Sequence, residues 1–321
     1  MHSISRRGFV ISTAAAGAAF GLDGPLEFFT PAFAQKAAQD VAKFKVGDIE
    51  VIQMYDGIWE KAHDEKFIKN ATLDETKAAL KAGGLTDAHV PIPFTVTAIR
   101  TKGKLVLFDS GTGAQLAPTA GNITKNDVWK KAGIDPAKVD TIVVTHFHPD
   151  HISGLMAKDT NTPIFPNAAI FPNATIYVPA AEYKFWTDAG TTAGAAKRIQ
   201  AVFPTWKNIK QFEGDKEVVA GVKPINTNGH TPGHTSYVIG SGNRQLIVLG
   251  DVTNIPALFV KNPGWHAAFD SDGPKAEAAR RKIFDRAIAD KATVTGYHYG
   301  MPGAGTIKKD GKGYVFVPVK A

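Results

Sequence analysis

The sequence predicts an α/β sandwich that forms one domain. At 321 residues with 44% hydrophobic side chains, the chain can bury a large core in such a sandwich. Signals for both kinds of element occur near the start of the predicted domain. Residues 44–55 alternate as a strand does, whereas residues 73–82 predict a short helix that ends at Gly83-Gly84.

The remaining elements follow from local signals. Residues 95–100 and 104–108 flank Thr101-Lys102-Gly103 and predict an antiparallel hairpin. A run of apolar residues at 141–144 predicts a short buried strand. Asp272-Gly273-Pro274 predicts the start of a helix that lasts to about residue 290. The other predicted strands are residues 175–178, 246–249 and 293–297, and the other predicted helix is residues 126–132.

A twin-arginine export signal is predicted at residues 1–34. It combines the motif Ser5-Arg6-Arg7-Gly8-Phe9, an apolar stretch at residues 9–22 and a small-x-small cleavage site at Ala32-Phe33-Ala34. About 14 apolar residues are too few for a spanning helix, which needs about 20. We therefore expect a single mature domain of residues 35–321 that is periplasmic or secreted and has no stable membrane anchor.

Charge and cysteine content exclude several classes of function. The formal charge of +7 is spread along the chain and shows no clustered basic stripe, so no nucleic-acid partner is expected. The chain has no cysteine, which excludes disulfides, a cysteine nucleophile and any zinc site with thiolate ligands.

The stretch Thr145-His146-Phe147-His148-Pro149-Asp150-His151 follows the predicted strand at residues 141–144 directly. Its dense imidazoles and carboxylate suit zinc or a similar divalent transition metal better than calcium or magnesium. In an extended segment, His146 and His148 point the same way and can converge on one ion. Pro149 breaks the strand, which turns Asp150 and His151 toward a second ion.

This segment resembles the metal-binding signature of the metallo-β-lactamase-fold hydrolases. Gly229-His230-Thr231-Pro232-Gly233-His234-Thr235 is similar to the second metal loop of that family, Leu249-Gly250-Asp251 to the strand end with the bridging aspartate, and Tyr297-His298 to the last ligand. The similarity runs from about residue 46 to the C-terminus and is closest to the methyl parathion hydrolase-like and lactonase branch. It implies an α/β fold of the four-layer αβ/βα sandwich type.

The resemblance also implies a site for two divalent metal ions. Zinc is the expected metal, with manganese, cobalt and iron as alternatives. In the second metal loop, the later histidine is the expected ligand. The full set of expected ligands is His146, His148 and His234 for one ion, Asp150, His151 and His298 for the other, and Asp251 as the bridge.

Such a pair of ions would hold a bridging hydroxide for attack on an ester-type bond. The resemblance therefore predicts a secreted metal-dependent hydrolase whose partner is a small-molecule lactone, aryl ester or organophosphate triester. Asp150 and Asp251 are the expected catalytic residues, and Asp150 is also able to relay a proton. Members of this branch are often dimers, which leaves a homodimer as an open alternative.

Further site residues are expected around these ligands. Asp109, at the end of the predicted strand 104–108, is placed by the resemblance behind a histidine ligand, where carboxylates fix the imidazole tautomer. A turn-forming Asp109-Ser110-Gly111 is the alternative. Residues 113–118 lack the aromatic of the methyl parathion hydrolase pattern, which favours lactones and aryl esters. The expected pocket residues are Leu116, Phe185, Trp186 and Trp265.

Rival functions stay open. A glyoxalase II-type thioester hydrolase would need a cationic site for its anionic carrier, and the sequence does not identify one. Di-iron redox members usually carry glutamate in place of the second histidine, whereas position 148 is histidine. A mononuclear iron oxygenase and a catalytically silent binding protein are also compatible with the fold. A β-lactam substrate is weakened, because the cysteine ligand of the lactamase-type pattern is missing.

Overall fold

Two β-sheets form the framework of the fold. The computed structural model describes residues 39–125, 127–156, 171–219 and 221–319. Within these residues, the first sheet has seven strands that lie side by side in chain order: β1 (Val41–Val46), β2 (Ile49–Lys61), β3 (Val90–Thr101), β4 (Lys104–Phe108), β5 (Thr141–Val143), β6 (Thr175–Pro179) and β7 (Ile209–Phe212). The second has six, in the spatial order β13 (Gly313–Pro318), β12 (Ala304–Asp310), β11 (Thr293–Thr295), β10 (Arg244–Val248), β9 (Thr235–Ser241) and β8 (Val222–Asn226).

Both sheets are mixed. In the first sheet, β1 to β4 pair antiparallel and β4 to β7 pair parallel. In the second sheet, β10 and β11 pair parallel and the other neighbours pair antiparallel. Because parallel strands end at the same edge of a sheet, the loops after β4 and β5 lie together, as do those after β10 and β11.

Helices complete the layers. The α-helices of the described residues are α1 (Leu73–Ala82), α2 (Asn122–Lys125), α3 (Val128–Ala132), α4 (Pro149–Ile152), α5 (Ala180–Thr187), α6 (Ala196–Val202) and α7 (Gly273–Ala289). Short 3-10 turns lie at Pro136–Lys138, Ser153–Leu155, Phe203–Thr205 and Gly250–Val252, and a π-helical turn lies at Pro256–Val260. In the part of the chain that the structure describes, no helix combines the length and apolar character needed to cross a bilayer.

Three apolar clusters define the order of the layers. One cluster lies between the sheets and joins residues such as Phe108 of β4 to Tyr237 of β9. A second joins α7, through Phe284, to Ile247 of β10. The largest joins β5 and β6 to helices such as α5 and α6. Helices therefore cover the outer face of each sheet, and the predicted four-layer αβ/βα sandwich is confirmed.

Several predicted elements are confirmed, with some shifted bounds. The helix α1 has the predicted bounds, and its first turn is closed by a capping box between Thr72 and Glu75. The hairpin of β3 and β4 is also confirmed, although β3 begins earlier, at Val90. The helix α7 begins where predicted, with Asp272 as its N-cap. The predicted export signal at residues 1–34 lies outside the described residues.

The single strand predicted at residues 44–55 is wrong. The segment forms two strands, because Gly47 and Asp48 make a two-residue turn that pairs Val46 with Ile49. Gly47 has a φ of 59°, which a glycine adopts without strain. The strand β2 then continues through Asp56-Gly57, with a bulge between Tyr55 and Gly57.

The bulge places a buried carboxylate between β2 and the loop after β4. Asp56 is fully buried and accepts hydrogen bonds from the backbone N–H and the hydroxyl of Thr112, both at 2.7 Å, and from the N–H of Ile123 at 2.9 Å. These donors offset the cost of burying the carboxylate. Asp56 thereby fixes the loop that forms one wall of the cavity described below.

Candidate metal centre

Ionisable side chains from both sheets meet at one edge of the sandwich. His146 and His148 follow β5, and α4 begins at Pro149 with His148 as its N-cap. Asp251 and His298 follow β10 and β11 of the second sheet. Since these loops leave the carboxyl ends of parallel strands, the fold brings residues about 150 positions apart into contact.

Three histidines form the first group. His148 Nδ1 lies 3.0 Å from His146 Nε2 and 2.9 Å from His230 Nε2. The potential ligand atoms of the three residues all lie within 4.8 Å of one another. Burial, followed by the proximity of the His230 ring, lowers the pKa of His148 to about 3. Burial also holds the pKa of His146 well below its ordinary value. Both rings are therefore neutral at pH 7, and their lone pairs converge on one point.

Two carboxylates and two histidines form the second group, which comprises Asp150, His151, Asp251 and His298. His151 Nε2 lies 3.4 Å from Asp150 Oδ2 and 3.3 Å from Asp251 Oδ1. His298 Nε2 lies 2.8 Å from Asp251 Oδ2. His230 Nε2 of the first group lies 3.6 Å from the same Asp251 oxygen. Asp251 therefore stands between the two groups.

The second group differs from the first in charge. Burial alone would raise the pKa of Asp251, but His298 and His151 hold it well below its usual range. Burial opposes protonation of His151, but Asp251 and then Asp150 raise its pKa well above the ordinary value. His146 and His148 of the first group thus present neutral nitrogen donors, whereas the second group presents carboxylates paired with histidines.

Two buried atoms at the centre lack hydrogen-bond partners in the described structure. They are His151 Nε2 and Asp251 Oδ1, each with almost no exposure to solvent. An unpartnered buried polar atom carries a free-energy cost that a bound cation would remove. Imidazole nitrogens and carboxylate oxygens are also the donor set of zinc and related divalent ions. The residues present therefore fit two divalent cations.

His230 occupies the place that the sequence prediction gave to His234. His234 Nε2 accepts a hydrogen bond from the backbone N–H of Asp251 at 2.9 Å, and its Nδ1 lies 2.8 Å from the Thr227 hydroxyl. Both ring nitrogens are therefore engaged by the protein. The close approach is possible because residue 250 is glycine, where a Cβ atom would lie 2.8 Å from His234 Nε2. The geometry therefore groups His230, and not the predicted His234, with His146 and His148.

Oxygen acceptors fix the histidine rings from behind. His151 Nδ1 donates to Asp109 Oδ2 at 2.8 Å, as the predicted role of Asp109 requires. His298 Nδ1 donates to the carbonyl oxygen of Pro93 at 2.8 Å, and His230 Nδ1 to Asp270 Oδ1 at 2.9 Å. Each bond fixes the orientation of its ring and directs Nε2 into the centre.

Asp109 and Asp270 are themselves held in place. Asp109 adopts a left-handed conformation with φ 61° and accepts from the N–H and hydroxyl of Thr145 at 2.7 and 2.8 Å. Asp270 Oδ2 lies 3.5 Å from Arg280 Nη2. The buried Arg280 also donates to the carbonyl oxygens of Val252, Pro263 and Trp265 at 2.8–2.9 Å. Arg280 thereby ties residues 252–270 to α7.

A cavity of about 1020 Å³ opens onto both groups. Asp150, His148 and His230 lie on its floor. The predicted pocket residues Trp186 and Leu116 line it. The other two predicted pocket residues, Phe185 and Trp265, are absent from the lining and pack against the main apolar core. Phe185 precedes Trp186 on α5, and adjacent helical residues point about 100° apart, so only one of the two faces the cavity.

Sequence reasoning missed three residues of the centre. His230 lies in the predicted second metal loop, but only three residues separate it from His234, and the loop conformation decides which one faces inward. Asp270 and the fully buried Glu182 carry no local motif, since their partners lie tens of residues away. The one available signal for Glu182 was a carboxylate at the third position of α5, just before the aromatic residues. A carboxylate that is buried beside tryptophan needs hydrogen-bond donors, which predicts a structural role.

Known proteins share this sequence pattern and fold. Residues 93–294 match the family model described as the metallo-beta-lactamase superfamily. An N-acyl homoserine lactonase from Bacillus sp. is 30% identical over 146 residues, which is 46% of this chain and 51% of the relative. The chain thus spans about half the length of the curated relatives it matches.

Two solved structures cover more of the fold. AidC, described as a dizinc quorum-quenching lactonase in complex with a product, superposes with a TM-score of 0.79 at 25% identity. The match covers 88% of this chain and 99% of AidC. The hydrolase AbOPH of the beta lactamase superfamily gives a TM-score of 0.78 at 26% identity, over 89% of this chain and 99% of its own.

Replacing Asp109 with asparagine tests the support behind His151. In Asp109→Asn, one carboxylate oxygen becomes an NH₂ group. That group must face either the Thr145 N–H or the His151 Nδ1–H, so the hydrogen bonds that hold the His151 ring cannot all be kept. We expect affinity for a divalent ion to fall by about 10- to 100-fold, measured by competition with a chromogenic chelator. The control is Asp140→Asn, which alters an exposed carboxylate 3.6 Å from Lys104. Equal affinity in Asp109→Asn and the parent protein would contradict this role.

Proposed function

The chain belongs to the metallo-beta-lactamase superfamily, and on this basis we propose that it is a dinuclear-metal hydrolase of neutral ester-type bonds, with lactones as the favoured substrate class. One observation carries the proposal. Two groups of metal-capable side chains share Asp251 at the floor of a cavity that has a mainly apolar lining.

The proposed ligand set follows from the distances. His146, His148 and His230 would hold one ion, and Asp150, His151 and His298 would hold the other. Asp251 would bridge the ions, because its Oδ2 lies 3.6 Å from His230 Nε2 and its Oδ1 lies 3.3 Å from His151 Nε2. Zinc is the favoured metal, since the ligands are imidazoles and carboxylates.

When bound, two divalent ions lower the pKa of a shared water and polarise the oxygen of the scissile bond. The side chains of the chain perform the remaining tasks. Asp150 is 18% exposed and lies on the cavity floor, so its Oδ2 atom can take up or return a proton beside the substrate. The buried side chains of Ile92, Phe94 and Trp186 give the cavity an apolar wall.

The charge of the cavity favours an uncharged substrate. Although the chain carries a formal charge of +7, no lysine or arginine is among the described residues that line the cavity. The lining instead includes Glu60 near the entrance. An anionic thioester carrier or a β-lactam carboxylate would meet no cationic side chain there. The glyoxalase II-type and β-lactam alternatives are therefore disfavoured.

The entrance favours a substrate with an apolar substituent. Trp59, Leu116 and Phe269 all line the cavity and are 38%, 45% and 37% exposed, respectively. Large apolar side chains left open at a cavity mouth indicate a binding role. The similarity to N-acyl homoserine lactonases supports a lactone with an acyl chain over an aryl ester or phosphotriester.

We also propose that the enzyme acts after export, on the strength of the twin-arginine motif at Arg6 and Arg7. Replacing both arginines with lysine should keep the full-length chain in the cytoplasm, because the export machinery recognises the arginine pair of the signal. The measurement is the distribution of the protein between cytoplasmic and periplasmic fractions. A variant that reaches the periplasm as the parent does would contradict export by this route.

The hydrolase proposal is tested by metal content and activity together. We expect the mature chain to hold about two divalent ions and to hydrolyse an N-acyl homoserine lactone faster than an aryl acetate, methyl parathion, a thioester or a β-lactam. Removal of metal should abolish turnover, and added zinc should restore it. Bound iron without hydrolysis of any of these compounds would instead support the redox alternative.

A matched pair of variants tests the choice between the two histidines of the second loop. His230→Gln should lose about one of two ions and reduce hydrolysis by about 100-fold or more, because a metal-directed nitrogen is removed. His234→Gln should keep both ions, since the glutamine carbonyl can accept the Asp251 N–H bond in place of Nε2. Metal analysis and lactone turnover report both effects. The reverse pattern would restore His234 as the ligand.

A further inference from the structure

We propose that Glu182 is a positioning residue that sets the geometry of the three-histidine group. It does so by joining the two loops that carry those histidines, residues 145–151 and 227–235. The inference rests on the proposed function, because it concerns affinity for the ion held by that group. Glu182 is not itself within the ligand groups.

The carboxylate of Glu182 accepts four hydrogen bonds. Its side chain is fully buried on the first turn of α5. Oε1 accepts from the backbone N–H of Phe147 at 2.9 Å and from Trp186 Nε1–H at 2.6 Å. Oε2 accepts from the Thr231 hydroxyl and from the backbone N–H of Gly233, both at 2.8 Å.

These donors belong to both histidine loops. Phe147 lies between His146 and His148 in the chain, and Thr231 follows His230 directly. Each oxygen of one rigid, planar carboxylate therefore holds a different loop. A shift of either loop would change the 2.9 Å separation of His148 Nδ1 and His230 Nε2. The carboxylate thus fixes the distance across which the two loops present their nitrogens.

Close packing around Glu182 also restricts movement of the loop at residues 227–235. A Cβ atom on Gly233 would lie 2.1 Å from the backbone nitrogen of Glu182, so the second loop touches the helix backbone itself. Trp186 is fixed by the same carboxylate and meets His148 edge to face, with ring centroids 5.8 Å apart. Glu182 therefore also aligns one wall of the cavity with the three-histidine group.

Glutamine cannot replace this carboxylate. In Glu182→Gln one oxygen becomes an NH₂ group, which must face the N–H of either Phe147 or Gly233. The Thr231 hydroxyl can rotate to accept a hydrogen bond, but a backbone N–H cannot. One loop would therefore lose its anchor while the volume of the side chain stays the same.

The test is a cobalt(II) titration of Glu182→Gln, followed by visible absorption and equilibrium dialysis. We expect one of two ions to bind about 10- to 100-fold more weakly and with an altered spectrum, while the other ion binds as in the parent protein. The control is Asp285→Asn, which alters a carboxylate that also accepts hydrogen bonds, but from Lys309 and Tyr314, outside the centre and the cavity lining. That variant should bind both ions as the parent protein does.

The outcomes separate this proposal from the function on which it rests. A parent protein that binds no divalent ion overturns the proposed function and this inference with it. A parent with two ions and a Glu182→Gln variant with unchanged affinities and spectrum overturns the positioning role alone. If Glu182→Gln does not fold, Thr231→Val decides, because it removes one donor and keeps the carboxylate. Weaker binding of one ion supports the role, and parental binding refutes it.

Discussion

The convergence of lone pairs and carboxylates in a buried space is the constraint on which the rest of the structure depends. Nitrogen atoms of His146, His148 and His230 approach to about 3 Å, beside Asp251 with an oxygen that lacks a partner. Such an arrangement is unfavourable without cations. The protein maintains it by hydrogen bonds from outside, in which oxygen acceptors hold the far nitrogens of the rings. The positions of those acceptors thus largely determine the geometry of the centre.

The packing of the two sheets decides whether the centre exists at all. The loop after β5 of the first sheet supplies His146, His148, Asp150 and His151, whereas loops of the second sheet supply His230, Asp251 and His298. Neither sheet alone carries a complete ligand group. The apolar cluster between the sheets therefore has a functional as well as a structural role, because it sets the separation of the two halves.

Most of the fold and most of the centre can be predicted from the sequence, because the residues that indicate them are close together in the chain. The segment 145–151, the helix α1 and the β3–β4 hairpin could each be predicted from local spacing. The choice between His230 and His234 could not, because it depends on loop conformation and on the contact of His234 with Asp251. Glu182 and Asp270 were hidden for a related reason: their partners come from other layers of the sandwich. Phe185 and Trp186 were both predicted to line the pocket, but adjacent residues point about 100° apart on a helix, and the packing of α5 turns only Trp186 toward the cavity.

The buried Arg280 has a consequence for how molecules reach the centre. It binds three carbonyl oxygens of residues 252–265 and supports Asp270, which in turn holds His230. Displacing this segment would break these contacts and weaken the support of a ring of the metal centre at the same time. The exposed side chains of Trp59 and Leu116, which line the cavity, lie outside the segment, so a molecule that enters beside them leaves these contacts intact.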